Sequence, residues 1–301
     1  MVGRSIIFVL LAAFFWGLSG GIGGLLMADG WDAFVVSFYR GAIGLLCVLV
    51  WLVLRPHHSG LMDRRVWFWS TVAGIGVAGN FAFYFISIKH GSVAVAATLM
   101  YCAPVFVYLV SFALQLERST ASKWVAMVAV MIGIVLLTQM YDNTRDVTLI
   151  AMSAGLLAGL SYALFIFGFK FAAPHGSPQA ILSLAFGTLT LFLIWPSDAG
   201  QIVTALTTPD WPLFLGLGTL GAGLSFVLYI TGLHHTSPAS ASIVAMIEPV
   251  TASLFGVVVL HETLAGSQIA GMAIILITVT LLSARPQYTQ PPDAQARQST
   301  V

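Results

Sequence analysis

Charge is what this sequence has least of. Eleven acids and twelve bases are spread over 301 residues, 8% of the chain, where soluble domains carry about 25%. Such a chain cannot clothe a water-soluble fold in polar surface. The net charge of +1 leaves no bulk field to attract nucleic acid or acidic partners. Cysteine is nearly absent too. Cys47 and Cys102 both fall in apolar runs, where a thiol packs as a small hydrophobe, so a disulfide framework is not expected. No G-x-x-x-x-G-K-[ST] loop occurs, which argues against an ATP-driven machine. No H-E-x-x-H box occurs either. The seven histidines (His57, His58, His90, His175, His234, His235 and His261) all sit in or near loops, so no metal and no cofactor are expected.

What the chain does have is long apolar runs. Ten of them, near residues 5–27, 33–54, 66–88, 92–115, 122–140, 148–172, 178–195, 211–233, 238–260 and 266–284, are long enough, or nearly so, to cross a bilayer as helices. Polar punctuation such as "LERSTASK" and "HHTSP" separates them. The first run follows Arg4 but is too long for a signal peptide and lacks an Ala-x-Ala site. The tail 285–301, rich in Pro and Gln, reads as disordered and cytoplasmic. With the N-terminus inside, the inner segments collect Arg4, Arg55, Arg64, Arg65, Arg118, Lys123, Lys170, Arg285 and Arg297. The outer loops keep Lys89 and Arg145. This bias places both termini in the cytoplasm.

The two halves repeat. At an offset of 145 positions "YFISIKHGSVAVAATLMYCAPV" lies under "YITGLHHTSPASASIVAMIEPV" without a gap. Tyr84 meets Tyr229, His90 meets His235, Pro104 meets Pro249 and Glu117 meets Glu262. "GLS" at 17–19 recurs at 159–161 with a small shift. Each half holds five helices, residues 1–141 and 147–284. Five is odd, so the second copy must be inverted in the membrane, the architecture of secondary transporters. The expected fold is therefore an all-α integral membrane protein of ten transmembrane helices in two inverted five-helix repeats.

In each half a mid-membrane proline is followed by a Glu past the helix end and a Gly- and aliphatic-rich closing helix: "PVFVYLVSFALQLERSTASKWVAMVAVMIGIVLL" and "PVTASLFGVVVLHETLAGSQIAGMAIILITVTLL". The pattern resembles the paired EamA domains of the drug/metabolite transporter superfamily. Arg40 in "SFYRGAIGLL" resembles the arginine of their second helix. "NFAFYFISI" and "LMYCAPVFVY" are similar to segments of the bacterial aromatic amino acid exporters within it. One departure is Thr278, which stands where copy one has the closing Gly133. The resemblance implies four helices of each half around a central cavity with the fifth peripheral. It also implies a small-molecule substrate and a place in the bacterial inner membrane.

Helical spacing nominates the cavity wall. Gly76, Asn80, Tyr84 and Ser87 share one face of the third run, and Gly221, Ser225, Tyr229 and Gly232 share its copy. Polar groups at membrane depth face protein or a cavity. Tyr101, Pro104 and Tyr108 align on the fourth run. Trp16 and Ser19 on the first and Ser161, Tyr162 and Phe165 on the sixth complete an aromatic chamber suited to a flat apolar side chain. The same aromatics can instead only pack helices. "GLSGGIGG" also matches a serine-hydrolase elbow at Ser19, but Gly17/Gly21 and Gly20/Gly24 read more simply as helix packing, and no histidine is placed as a base. A channel would show a ring of charges or a filter repeat, and neither is present.

Two charges lie mid-span, Arg40 and Glu248, the latter directly before Pro249. An acid there costs roughly 2.5–3.5 kcal/mol. Either it pairs with Arg40, directly or through water, or it carries a coupled proton or meets a substrate ammonium. Pro104 and Pro249 break the backbone ladder and are candidate hinges for alternating access. Glu117 and Glu262 sit at helix ends and read as caps. The function expected is export of small metabolites, first among them aromatic and other apolar amino acids, by a chain working as a monomer.

Overall fold

The polar punctuation of the sequence becomes a series of helix caps. In the computed structural model, which describes residues 2–56, 59–116, 119–142 and 148–283, α1 (Val2–Ala28) is followed by α2 (Ala33–Leu54), capped by Asp32, and α3 (Arg64–Lys89), capped by Asp63. Ser92 caps α4 (Val93–Met100), which continues as α5 (Ala103–Ala113). Thr120 caps α6 (Ala121–Thr138), followed by a 3-10 turn at Met140–Asp142. The second half runs through α7 (Leu149–Ala172), α8 (Pro178–Leu193), the short α9 (Ala199–Thr204), α10 (Trp211–Gly218), α11 (Ser225–His234), α12 (Pro238–Val244), α13 (Ile247–Val259) and α14 (Gly266–Ser283). Thr148, Ser177, Asp198 and Ser237 cap α7, α8, α9 and α12. Each cap side chain takes a backbone N–H that the first helical turn leaves without a partner. The described residues contain no strand.

Eight helical stretches are long and apolar enough to cross a membrane: Ser5–Ala28, Ala33–Leu54, Arg64–Lys89, Val93–Ala113, Ala121–Thr138, Leu149–Ala172, Trp211–His234 and Pro238–Val259. Two further apolar helices, Pro178–Leu193 and Gly266–Leu282, are shorter. The α8 stretch nonetheless reaches between the same two levels as α2. At its start Gln179 donates to the carbonyl of Arg55, just past α2, at 3.1 Å. Beyond its end Gln201 accepts from the N–H of Asp32, just before α2, at 2.6 Å. The two therefore run antiparallel. The last helix runs antiparallel to α6 in the same way, since Gln268 donates to the carbonyl of Leu137 and Gln139 to Ser267.

The packing of one half is mirrored by the other. Where α3 lies on α7, α11 lies on α1; where α5 lies on α7, α13 lies on α1; where α3 meets α8, α10 meets α2. The loss of the closing glycine at Thr278 does not open the α6/α14 contact. Gly271 supplies the close approach instead, and a Cβ there would stand 2.5 Å from the carbonyl oxygen of Gly133.

The spans expected at 92–115 and 238–260 are each broken, within one residue of the same point of the repeat. Cys102 N–H turns back to the carbonyl of Leu99 (3.2 Å) and Met246 N–H to that of Ile243 (3.1 Å), tight turns just before Pro104 and Pro249. Proline removes the donor that would have carried the ladder through. The span 211–233 is not regular either, because a π turn at Thr219–Leu224 interrupts it. Cys47 and Cys102 are unbridged. Glu262 donates its backbone N–H to the carbonyl of Gly256 and so closes the end of α13. Glu117 and the tail 285–301 lie outside the described residues.

Candidate functional site

Trp16 sits at the meeting point of the halves. Its ring centroid is 4.8 Å from Tyr229, 5.0 Å from Phe226, 6.2 Å from Phe165 and 6.5 Å from Tyr162. These rings come from α1, α7 and α11, so the cluster ties the two halves together. Trp16 is only 3% exposed and Tyr229 is fully buried. In this conformation they form a packed plug rather than an open wall. Trp16→Ala should therefore lower stability by about 2 kcal/mol, below the range of soluble cores because lipid supplies no transfer term, whereas the half-buried Tyr84→Ala should stay within about 1 kcal/mol. Thermal unfolding of the purified variants in detergent checks this; equal losses would contradict the plug.

The face nominated on α3 serves mainly as a helix contact. Asn80 donates its amide to the carbonyl of Ala158 (3.0 Å), and Ser87 donates to that of Ala151 (2.7 Å). A Cβ on Gly76 would stand 2.6 Å from the backbone N of Phe165, and one on Gly79 would stand 2.8 Å from Ser161 Oγ. Asn80 and Ser161 thus lie in the α3/α7 contact, where small residues allow backbones to approach and polar side chains bond across helices. On the copy, Gly221 packs against Ser19 and Gly232 against Ser5 and Val9 of α1. Ser19 Oγ donates to the carbonyl of Trp16 in its own helix (2.9 Å), so it is not poised as a nucleophile. Tyr108 meets Trp124 edge to face and donates to Ser119, which places it in the α5/α6 contact.

One end of the bundle is drawn shut. Lys170, at the end of α7, donates to the carbonyls of Leu233 (2.9 Å), His234 (3.2 Å) and Thr236 (2.9 Å). At the same end Ser177 N–H bonds the carbonyl of Ser59, and His175 lies 3.4 Å from Asp63. The packing of α7 on α11 and α12 has no counterpart of similar extent between α1 and α3 or α4. On α1, residues 16, 20 and 24 share a face. Trp16 is buried, but one and two turns beyond it a Cβ on Gly20 or Gly24 would meet nothing within 4 Å. Beyond the plug nothing packs on this face of α1 at those two positions. An indentation of about 450 Å³ at the Lys170 end, lined by Phe8, Ile181, Ile230 and His234 among others, is a separate feature on the flank of α1, α8 and α11.

At the level of the plug lie the two mid-span charges, and they are not an ion pair. Arg40 donates Nε (3.1 Å) and Nη2 (2.9 Å) to the carbonyl of Gly221 and lies over the Phe81 ring at 5.2 Å. That carbonyl belongs to the π turn, where the regular ladder is interrupted. The carboxylate of Glu248 makes no ion pair within 4.0 Å among the described residues, and its buried Oε2 has no hydrogen-bond partner. Of the alternatives that the sequence left open, direct pairing is not what the structure shows: the Nε–Nη2 edge of Arg40 is turned to a backbone oxygen, not to Glu248. Trp16 Nε1, Tyr162 Oη, Ser225 Oγ and Tyr229 Oη are also buried without partners. The structure thus brings Trp16, Tyr162 and Tyr229 into the plug and sets Arg40 and the Glu248 backbone against residues 17–19 of α1 or their neighbour Gly221; Ser225 is buried on α11, Tyr101 ends α4 and Tyr84 is half-buried on α3. It leaves Asn80 and Ser161 in a helix contact. Sequence reasoning missed Gly221 and Phe81 as the partners of Arg40. The run "GLGTLGAGL", with four glycines in nine residues, was the available signal.

The EamA-like transporter family matches this sequence twice, over residues 3–139 and again over 149–284. The chain belongs to that family. The uncharacterized transporter YwfM of Bacillus subtilis is 29% identical over 297 residues, covering 96% of both chains. An uncharacterized transporter of Archaeoglobus fulgidus is 31% identical over 84% of this chain and 87% of its own. The threonine/homoserine exporter RhtA of Salmonella typhimurium is 27% identical over 67% of this chain and 66% of its own. These relatives do not single out the aromatic amino acid exporters to which the sequence motifs looked similar. A solved crystal structure superposes with a TM-score of 0.74 over 95% of this chain and 100% of that one, at 18% identity, and supports the fold alone. The EamA chain is thus a multi-pass membrane protein whose relatives are transporters.

Proposed function

We propose that this EamA protein is a secondary transporter that exports small amphipathic metabolites across a bacterial inner membrane, with aromatic and other apolar amino acids as first candidates. The observation that carries this reading is the presence of two mid-span charges that do not pair with each other, in a bundle whose Lys170 end is drawn shut. Charges at that depth are retained for a task, because their burial is costly. The mirrored, antiparallel packing supports two inverted halves, 1–141 and 147–284, with α8 and α14 counted among ten spans. The basic residues favour a cytoplasmic place for both termini and the Lys170 end, and with nothing packed on Gly20 and Gly24 toward the other end the conformation is proposed to be open outward. Pro104 and Pro249, beside the two helix breaks, are the proposed hinges, and the orphan polar groups on Trp16, Tyr162, Ser225 and Tyr229 the proposed contacts of the passing cargo.

A second reading, export of threonine-like amino acids, is favoured by the kinship with RhtA and by the plug, which leaves less room for a large ring. Proteoliposomes separate the two. Efflux of labelled phenylalanine and of labelled threonine, each with and without a pH gradient, should exceed that of empty liposomes for at least one of them. A gradient that leaves efflux unaltered would exclude proton coupling. No protein-dependent flux for any amino acid would refute the proposal.

A further inference from the structure

Arg40 and Glu248 come from different halves of the chain, one on α2 and one in the first turn of α13. Opposite charges in so apolar a setting attract strongly and collapse into a pair unless something holds them apart. Here something does. The Nε–Nη2 edge of Arg40 is engaged by the Gly221 carbonyl, and the guanidinium plane is seated over Phe81. Glu248 is pinned by its backbone, because its carbonyl oxygen abuts Gly17 of α1 so closely that a Cβ there would stand 2.5 Å away.

A guanidinium has five N–H donors. Two are used, which leaves the Nη1–Nη2 edge, the geometry that takes a carboxylate through two parallel bonds. Glu248 offers the complementary group, a carboxylate whose Oε2 has no partner.

We propose that Arg40 and Glu248 form a clamp for zwitterions, in which Arg40 takes the carboxylate and Glu248 the ammonium of a free α-amino acid. The inference rests on the proposed transport of amino acids and deepens it. It makes the backbone of the substrate, not its side chain, the feature that the charges read. A ligand with both charges satisfies both residues at once. A ligand with one charge leaves the other residue buried and unpaired, and pays for it in affinity. The clamp thus explains how one site can serve apolar and hydroxylated amino acids alike. It rejects amines, acids and acylated derivatives of the same shape.

The test is competition against labelled phenylalanine or threonine, whichever is transported, in counterflow with the full-length protein. The competitors are the same free amino acid, its amide, which keeps the ammonium but lacks the carboxylate, and its N-acetyl derivative, which keeps the carboxylate but lacks the ammonium. The free amino acid should compete at least about 100-fold better than either derivative. In Glu248→Gln its advantage over the N-acetyl derivative should shrink by about tenfold or more, while its advantage over the amide persists. Glu248→Gln suits this purpose because the buried Oε2 has no hydrogen-bond partner to lose, and its unfolding temperature is measured alongside. Equal competition by all three compounds in the unmutated protein would overturn the clamp while leaving transport intact. So would an unchanged ratio in a folded Glu248→Gln. An absence of any amino acid flux would instead remove the transport reading, and the clamp with it.

Discussion

Gly17→Leu should yield no monodisperse protein. A Cβ at residue 17 would stand 2.5 Å from the carbonyl oxygen of Glu248, 2.6 Å from Cβ of Thr251 and 2.9 Å from the backbone N of Ala252. Two of these three atoms are main chain, which has no rotamer by which to step aside. Adding even one methylene to a packed interior costs about 1–3 kcal/mol, and leucine adds four carbons at a helix crossing. The contact also joins the halves, since α1 meets α13 there. Gly20→Leu, one turn away from Gly17, has nothing within 4 Å of its first carbon and should fold. Size-exclusion profiles of the two variants give the comparison. Similar behaviour of both would show that α1 does not lie against α13 as described.

Arg40→Ala should abolish transport, by at least about 100-fold, and should also cost about 1.5–3 kcal/mol of stability, the usual worth of a hydrogen bond to a charged group. The stability loss comes from the Gly221 carbonyl, which is left without its donors in the π turn, and from the Phe81 face. Glu248→Gln should differ. The buried Oε2 has no hydrogen-bond partner to lose, so the variant should unfold within about 1 kcal/mol of the parent. Were the two charges a dry ion pair, either single change would cost about 3–5 kcal/mol and the double change would restore much of it. Thermal unfolding of both single variants and the double variant decides. Equal large losses with recovery in the double variant would return the pairing that the structure replaces.

Much of the fold can be read in the sequence because a bilayer limits what the chain can do. Every span must satisfy its own backbone, so apolar runs mark helices, and polar punctuation marks caps such as Asp63, Ser92 and Thr148. The repeat marks equivalent breaks before Pro104 and Pro249. The site is less legible. Spacing groups Gly76, Asn80 and Ser87 on one face but does not say what that face meets. In a membrane a helix contact and a cavity wall are built from the same small and polar residues. Asn80 turned out to serve the carbonyl of Ala158. Arg40 defeated the sequence for another reason. Charges are paired with charges when only side chains are visible, whereas a carbonyl in an irregular turn is an equally good acceptor and leaves no residue-type signature. At the α6/α14 crossing the sequence shows the departure at Thr278 but not that Gly271, seven positions earlier, makes the close approach.

Two spin-label distances measured by electron resonance on one liposome preparation address alternating access itself. One pair joins position 27 on α1 to position 89 at the end of α3, across the open end. The other joins positions 174 and 235, across the end that Lys170 closes. All four residues are exposed. Saturating amino acid should shorten the first distance and lengthen the second, as the open end closes and the closed end opens. Distances that both stay fixed, or that lengthen together, would contradict a path between the two halves open to one side at a time.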